Sequence, residues 1–246
     1  MSNRVSCLTK LLKVPVASKC NKNIIYIKGV DGHVLAGPKS CGKTSLLFEH
    51  AITCAENGDS VLFIAPKVFT KLPLFVNGRK QPSTVVLERI YIVYLANYVE
   101  LIEYFASAHL DRSQNPRVVY SRHVLIDDFD WYFQEKKTRT EDTNRLAKCM
   151  AYMIDALKFW SKNMEACSDA TSSFVLAETV QGDVIFNAEK LGLYMHWISN
   201  FIQVQKLGNS FFCVQRIKND ECTLLSDLLL HYQIDNNAIT VKEQEF

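Results

Sequence analysis

Gly37, four further residues, then Gly42, Lys43 and Thr44 stand inside the stretch HVLAGPKSCGKTSLLFEHA, residues 33–51. That spacing belongs to a phosphate-binding loop. Glycines let backbone N–H groups turn inward onto phosphate oxygens, and the lysine after the second glycine reaches the β- and γ-phosphates of a nucleotide. The hydroxyl of the next residue takes one position on Mg²⁺. Gly37, Pro38, Lys39, Ser40, Cys41, Gly42, Lys43, Thr44 and Ser45 are therefore the expected nucleotide site, with ATP and Mg²⁺ as its expected occupants. Cys41 stands where many such loops carry serine, and it reads as an inert small residue.

The second chemical element is HVLIDD, residues 123–128. An acid at the end of a buried strand can hold Mg²⁺ beside the loop threonine. Asp127 is the expected metal residue with Thr44, and Asp128 is a second acid able to orient water. Lys43, Asp127 and Asp128 form the expected catalytic set.

The third element is an absence. ATPases of this build need a carboxylate to orient the attacking water, often just after the strand that follows the loop's helix. Here that place reads FIAPKVF, residues 63–69, and no acid occurs from Val61 to Leu87. Ala65, Pro66 and Lys67 stand where the acid is wanted; Asp128 and Glu178 are the candidates to replace it. Hydrolysis is expected to be slow.

These residues need a frame. NIIYIKG (23–29), HVLAG (33–37), SVLFIA (60–65), HVLIDD and SSFVLAE (172–178) read as strands. Short, wholly apolar runs mark strands buried on both faces of a parallel sheet. A helix from Lys43 to about Asn57 presents Leu47, Ala51 and Cys54 on one face, and Gly58 ends it. Residues 95–110 read as a helix. From Asn144 to Met164 apolar residues recur every three or four positions. Residues 196–217 read as a hairpin turning at Gly208-Asn209, AITV (238–241) as a last strand, and 70–83 as a long loop. The fold class is α/β: a mostly parallel sheet flanked by helices, closing with an antiparallel hairpin. Residues 23–246 form one expected domain after a basic lead-in, 1–22.

Composition narrows the function. The 246 residues are 48% hydrophobic and 22% charged, which is globular usage. A net charge of +2 leaves nucleic-acid binding to local patches. Lys136, Lys137 and Arg139, with Arg145 and Lys148 on the following helix, are the candidate DNA contacts; a solvated helix face is the other reading. No apolar run reaches the ~18 residues of a membrane span. The lead-in carries Arg4 and four lysines without an acid; its lysine bias argues against a transit peptide. Eight cysteines without zinc spacing indicate neither a metal site nor a disulfide framework. FEHA (48–51) and FASA (105–108) fit Phe-x-x-Ala, a motif recombinases use to interlock, but both read as core.

Taken together, LAGPKSCGKTSLLFEHA, VLFIAPKVF, ELIEYFASAH and HVLIDDFDWYF resemble the small recombinase paralogues of the RecA-like ATPase family. The likeness spans roughly residues 33–217. It is greatest to those that partner a SWIM-type zinc-finger protein in Shu-type recombination complexes. The resemblance implies a RecA-like core, ATP binding, a preference for single-stranded DNA, and service in homologous-recombination repair in the nucleus; a transit peptide in the basic lead-in would make a mitochondrion the alternative site. It implies a heteromer containing a SWIM-domain protein and a recombinase; the lack of a long apolar run, not the resemblance, sets the expectation of no membrane. It also places Lys67 near the family's usual catalytic Glu, and Glu178-Thr179 where recombinases carry an Asn-Gln pair that senses the γ-phosphate. The expected function is an accessory, weakly DNA-stimulated ATPase. A RecA-like structural subunit that does not turn ATP over is one alternative, and a small-molecule P-loop kinase is another.

Overall fold

Alternation along the central strands decides the layers. In β1 (Val30–Gly37), Val34 and Ala36 face one side while Leu35 faces the other. In β2 (Val61–Ala65), Leu62 and Ile64 join the first face, and Val61, Phe63 and Ala65 the second. Successive strand side chains point to opposite faces, so strands apolar throughout must be covered on both. The computed structural model describes residues 30–110, 119–134, 139–164, 171–180, 192–198, 200–220, 223–235 and 238–242. The strand expected at 23–29, the lead-in 1–22, Lys136 and Lys137 lie outside them.

The sheet has ten strands in the order β3-β10-β9-β8-β7-β1-β6-β5-β2-β4. Besides β1 and β2 these are β3 (Phe75–Val76), β4 (Ile90–Tyr94), β5 (His123–Ile126), β6 (Ser172–Thr179), β7 (Asn200–Lys206), β8 (Phe211–Asp220), β9 (Thr223–Ile234) and β10 (Ala238–Lys242). From β7 through β4 every pairing is parallel, while β7-β8-β9-β10 is an antiparallel meander. Parallel neighbours need long crossovers, and helices supply them. α1 (Lys43–Glu56) lies on the second face and buries Leu46, Leu47, Ala51 and Cys54. α3 (Tyr98–Ala106) and α4 (Arg139–Asn163) cover the first, with Leu101, Phe105, Met150, Met153, Leu157 and Trp160 in its core. A short α2 (Thr84–Leu87) precedes β4. No helix among the described residues is long and apolar enough to cross a membrane. The fold is α/β, a mostly parallel sheet flanked by helices and closing with antiparallel strands, as the strand pattern predicts.

Several boundaries differ from the reading of the sequence. α3 begins at Tyr98, because Asn97 accepts from the Glu100 N–H at 3.1 Å and Glu100 accepts from the Ala96 N–H at 2.8 Å. β7 begins at Asn200 rather than His196. Residues 194–198 turn around buried Tyr194, whose carbonyl accepts from the Ile198 N–H at 2.8 Å. The long helix starts at Arg139, inside the expected connector. The loop 70–83 contains β3, and both β4 and β9 are additional strands. Ala51, Phe105 and Ala108 of the two Phe-x-x-Ala segments are buried in the cores, and Phe48 is packed against one.

Candidate nucleotide site

The site lies where β1 and β5 end. β1 stops at Gly37, and residues 38–42 turn into α1. Two of them take the left-handed conformation, Ser40 at φ 61° and Gly42 at φ 86°. Gly42 meets that demand without strain, and a Cβ there would lie 3.0 Å from Ile234 Cδ1. Gly37 is required for room: a Cβ would come within 2.8 Å of Cys41 Sγ and of Val204 Cβ. Tyr232 of β9 donates its buried hydroxyl to the Cys41 carbonyl. The last long strand thus holds the loop from below.

Lys43 is buried and donates to the carbonyls of Gly37 at 3.2 Å and Pro38 at 3.0 Å. Its ammonium is fixed over the mouth of the loop with two of three donors used. Lys39 and Ser40 are exposed at the loop tip. Cys41 is fully buried, and burial pushes its thiol above the ordinary range, which suits an inert residue. Ser45 faces elsewhere: its hydroxyl accepts from the Leu74 N–H at 2.9 Å and anchors the 70–83 loop.

Thr44 and Asp127 meet across the chain. The Thr44 hydroxyl donates to Asp127 Oδ2 at 2.7 Å. Asp127 continues the edge of β5, where its N–H donates to the Ile64 carbonyl at 2.9 Å. Its other oxygen, Oδ1, is buried with no partner among the described residues. Burial raises the carboxyl to about 6, ahead of the opposing Thr44 hydrogen bond and the added charge of Asp128. A buried carboxylate with one free oxygen, bonded to a hydroxyl, is a hard-oxygen donor set that fits Mg²⁺. Asp128 follows in the left-handed region at φ 45°, exposed, and opens a 3-10 helix, Phe129–Phe133.

An open cleft of about 250 Å³ adjoins these residues, lined by Thr44, Asp127, Asp128, Lys67, Lys71, Trp131 and the 65–70 segment. The structure thus brings Thr44, Asp127 and Asp128 to one cleft and sets the Lys43 loop beside it. Glu178 is not on it. It is buried and accepts the Tyr194 hydroxyl, while Thr179 gives its N–H to Asp130 Oδ1 at 2.9 Å. Lys67 is on it, with its ammonium 3.8 Å from the centre of the Trp131 ring. Lys71, Trp131 and Tyr232 are the residues that reasoning from sequence missed. The aromatic run FDWYF directly after the two acids is the one signal that pointed to Trp131.

Of the basic candidates, Arg139, Arg145 and Lys148 lie on α4, and Arg145 and Lys148 do not line the cleft. Arg145 sits over the Tyr98 ring at 4.8 Å, and exposed Lys148 is 5.7 Å from the Tyr152 ring centre. Arg139 forms the first turn of that helix.

No family model matches the chain, and no curated protein matches it. Among solved structures it is similar to the crystal structure of the RadB recombinase. The two are 14% identical over 87% of this chain and 91% of that one, with a TM-score of 0.56. At that identity the likeness is one of fold, a RecA-like α/β core.

Proposed function

We propose that this protein is an accessory ATP-binding subunit of a homologous-recombination DNA repair complex, holding ATP firmly and hydrolysing it weakly. The observation that carries the reading is the Thr44–Asp127 hydrogen bond beside the Lys43 loop, set against a lysine where an acid is wanted. Lys43, Thr44 and Asp127 would hold the phosphates and Mg²⁺; bound there, the metal neutralises phosphate charge. Lys43 keeps the loop closed around the anion through the Gly37 and Pro38 carbonyls. Asp128, exposed on the cleft, is the acid placed to accept a proton from water. The likeness of fold to a recombinase supports the recombination setting. The resemblance of the P-loop, Asp127 and VELIEYFASAH segments supports a nuclear heteromer with a SWIM-domain protein and a recombinase, acting on single-stranded DNA.

Phosphate release with and without single-stranded DNA tests the activity, and a pull-down from the protein's own cells tests the assembly. The expected results are slow release that rises with DNA, and a SWIM-domain protein among the captured chains. Release indifferent to DNA would favour the structural-subunit reading, which Lys67 in the acid's place also supports.

A further inference from the structure

Lys67 is more than the mark of a missing acid. It leaves β2 after Ala65 and Pro66, and proline narrows the path of the chain there. Its ammonium lies 3.8 Å from the Trp131 ring centre, well inside the roughly 6 Å range of cation–π attraction. That ring is itself held. Trp131 Nε1 donates to the Ala96 carbonyl at 3.1 Å, and its buried neighbour Tyr132 donates to the Leu95 carbonyl at 2.9 Å. A free surface lysine samples many rotamers; this one is seated on a fixed ring, on the cleft that contains Thr44 and Asp127. Among the described residues its ammonium makes no salt bridge; Asp128, on the same cleft, feels its charge.

We propose that Lys67, seated on Trp131, binds the terminal phosphate and makes the site prefer a nucleoside triphosphate over a diphosphate. The proposal rests on the nucleotide reading above and deepens it. An acid at this place would polarise water. An ammonium has no lone pair to take a proton, but it offers three donors and a positive charge to phosphate oxygens. The exchange therefore strengthens binding of the triphosphate and removes a contribution to its cleavage. The protein then holds ATP longer than it would with an acid at this place.

The test is the dissociation constants of ATP and ADP, each with Mg²⁺, for the full chain and for Lys67→Gln and Lys67→Arg, with melting temperatures to verify folding. The wild type should prefer ATP, and Lys67→Gln should weaken ATP on the order of tenfold while changing ADP less than about twofold. Lys67→Arg should retain the preference, because guanidinium keeps both the charge and the stacking on the ring. Trp131 emission should change with ATP and not with ADP in the wild type, and with neither in Lys67→Gln. Equal effects of Lys67→Gln on both nucleotides, or none on either, would overturn the proposal and leave the nucleotide site standing. A wild type that binds neither nucleotide would overturn both.

Discussion

Lys43 is tied to two loop carbonyls, so Lys43→Ala removes the phosphate cation and loosens the loop together. Removing a buried charge-assisted hydrogen bond costs about 1.5–3 kcal/mol, and ATP affinity should fall at least about tenfold; equilibrium dialysis with labelled ATP measures it. Asp128→Asn should abolish the residual turnover and spare binding, because Thr44 bonds Asp127 and not Asp128. Unchanged phosphate release in that variant would leave the water without a protein base, since Glu178 is buried against Tyr194. A third residue governs stability. His33 is buried on β1 with Nδ1 unpartnered among the described residues, and burial, then the charges of Arg216 and His123, lower its pKa to about 4. The unfolded chain takes up that proton near pH 6.5 and the folded chain only near pH 4, so the contribution is complete above about pH 6.5 and falls as pH drops. About 2 kcal/mol should be lost by pH 5. Urea midpoints at pH 7 and 5 should therefore separate less in His33→Leu than in the wild type.

At the scale of elements, β9 supports the phosphate-binding loop from a distance in sequence. Tyr232 holds the Cys41 carbonyl, and Ile234 packs under Gly42. Tyr232→Phe keeps the ring stacked on Phe212 and removes only the donor, leaving a buried carbonyl without its partner. Stability should fall by about 1–3 kcal/mol, read from chemical denaturation. ATP affinity should fall several-fold, because the Cys41 peptide sets the direction of the loop. An unaffected affinity would restrict the role of β9 to stability. The 3-10 helix after β5 serves the same kind of purpose on the other side. Its Asp130, Trp131 and Tyr132 each bond a neighbouring backbone group, and this fixes the segment that follows Asp127 and Asp128.

The whole molecule separates two charged regions. The cleft gathers Lys67 and Lys71 around Asp127 and Asp128, whereas Arg145 and Lys148 lie on α4, a different element. If the α4 side and its approach carry DNA, every lysine or arginine neutralised there lowers the log–log salt slope for a single strand by about 0.7. Neutralising Lys136, Lys137 and Arg139 together should flatten the slope by about 2 and leave ATP affinity unchanged. An unchanged slope would assign the strand to another surface or to the partner. Arg145 also covers Tyr98, so its removal should cost some stability as well as charge.

The spacing of Gly37, Gly42, Lys43 and Thr44 was legible in the sequence because a phosphate-binding loop is a local object. Its chemistry depends on residues within one turn of chain. The same holds for α1 and for the buried strands β2, β5 and β6, whose apolar runs state their own burial. Asp127 was legible as the end of such a run. The edge strand β4 was not, since IYIVY is only half-buried and its place is set by β2 alone. β9 was missed because its partners, β8 and β10, define it through pairing rather than through its own pattern. The fates of Glu178 and Lys67 were decided in three dimensions. Both stood near the ends of central strands in the sequence, yet packing buries one against Tyr194 and seats the other on Trp131. Sequence states which groups are available near a strand end. Only the tertiary structure decides which of them a neighbouring aromatic holds in the cleft and which a hydroxyl holds away from it.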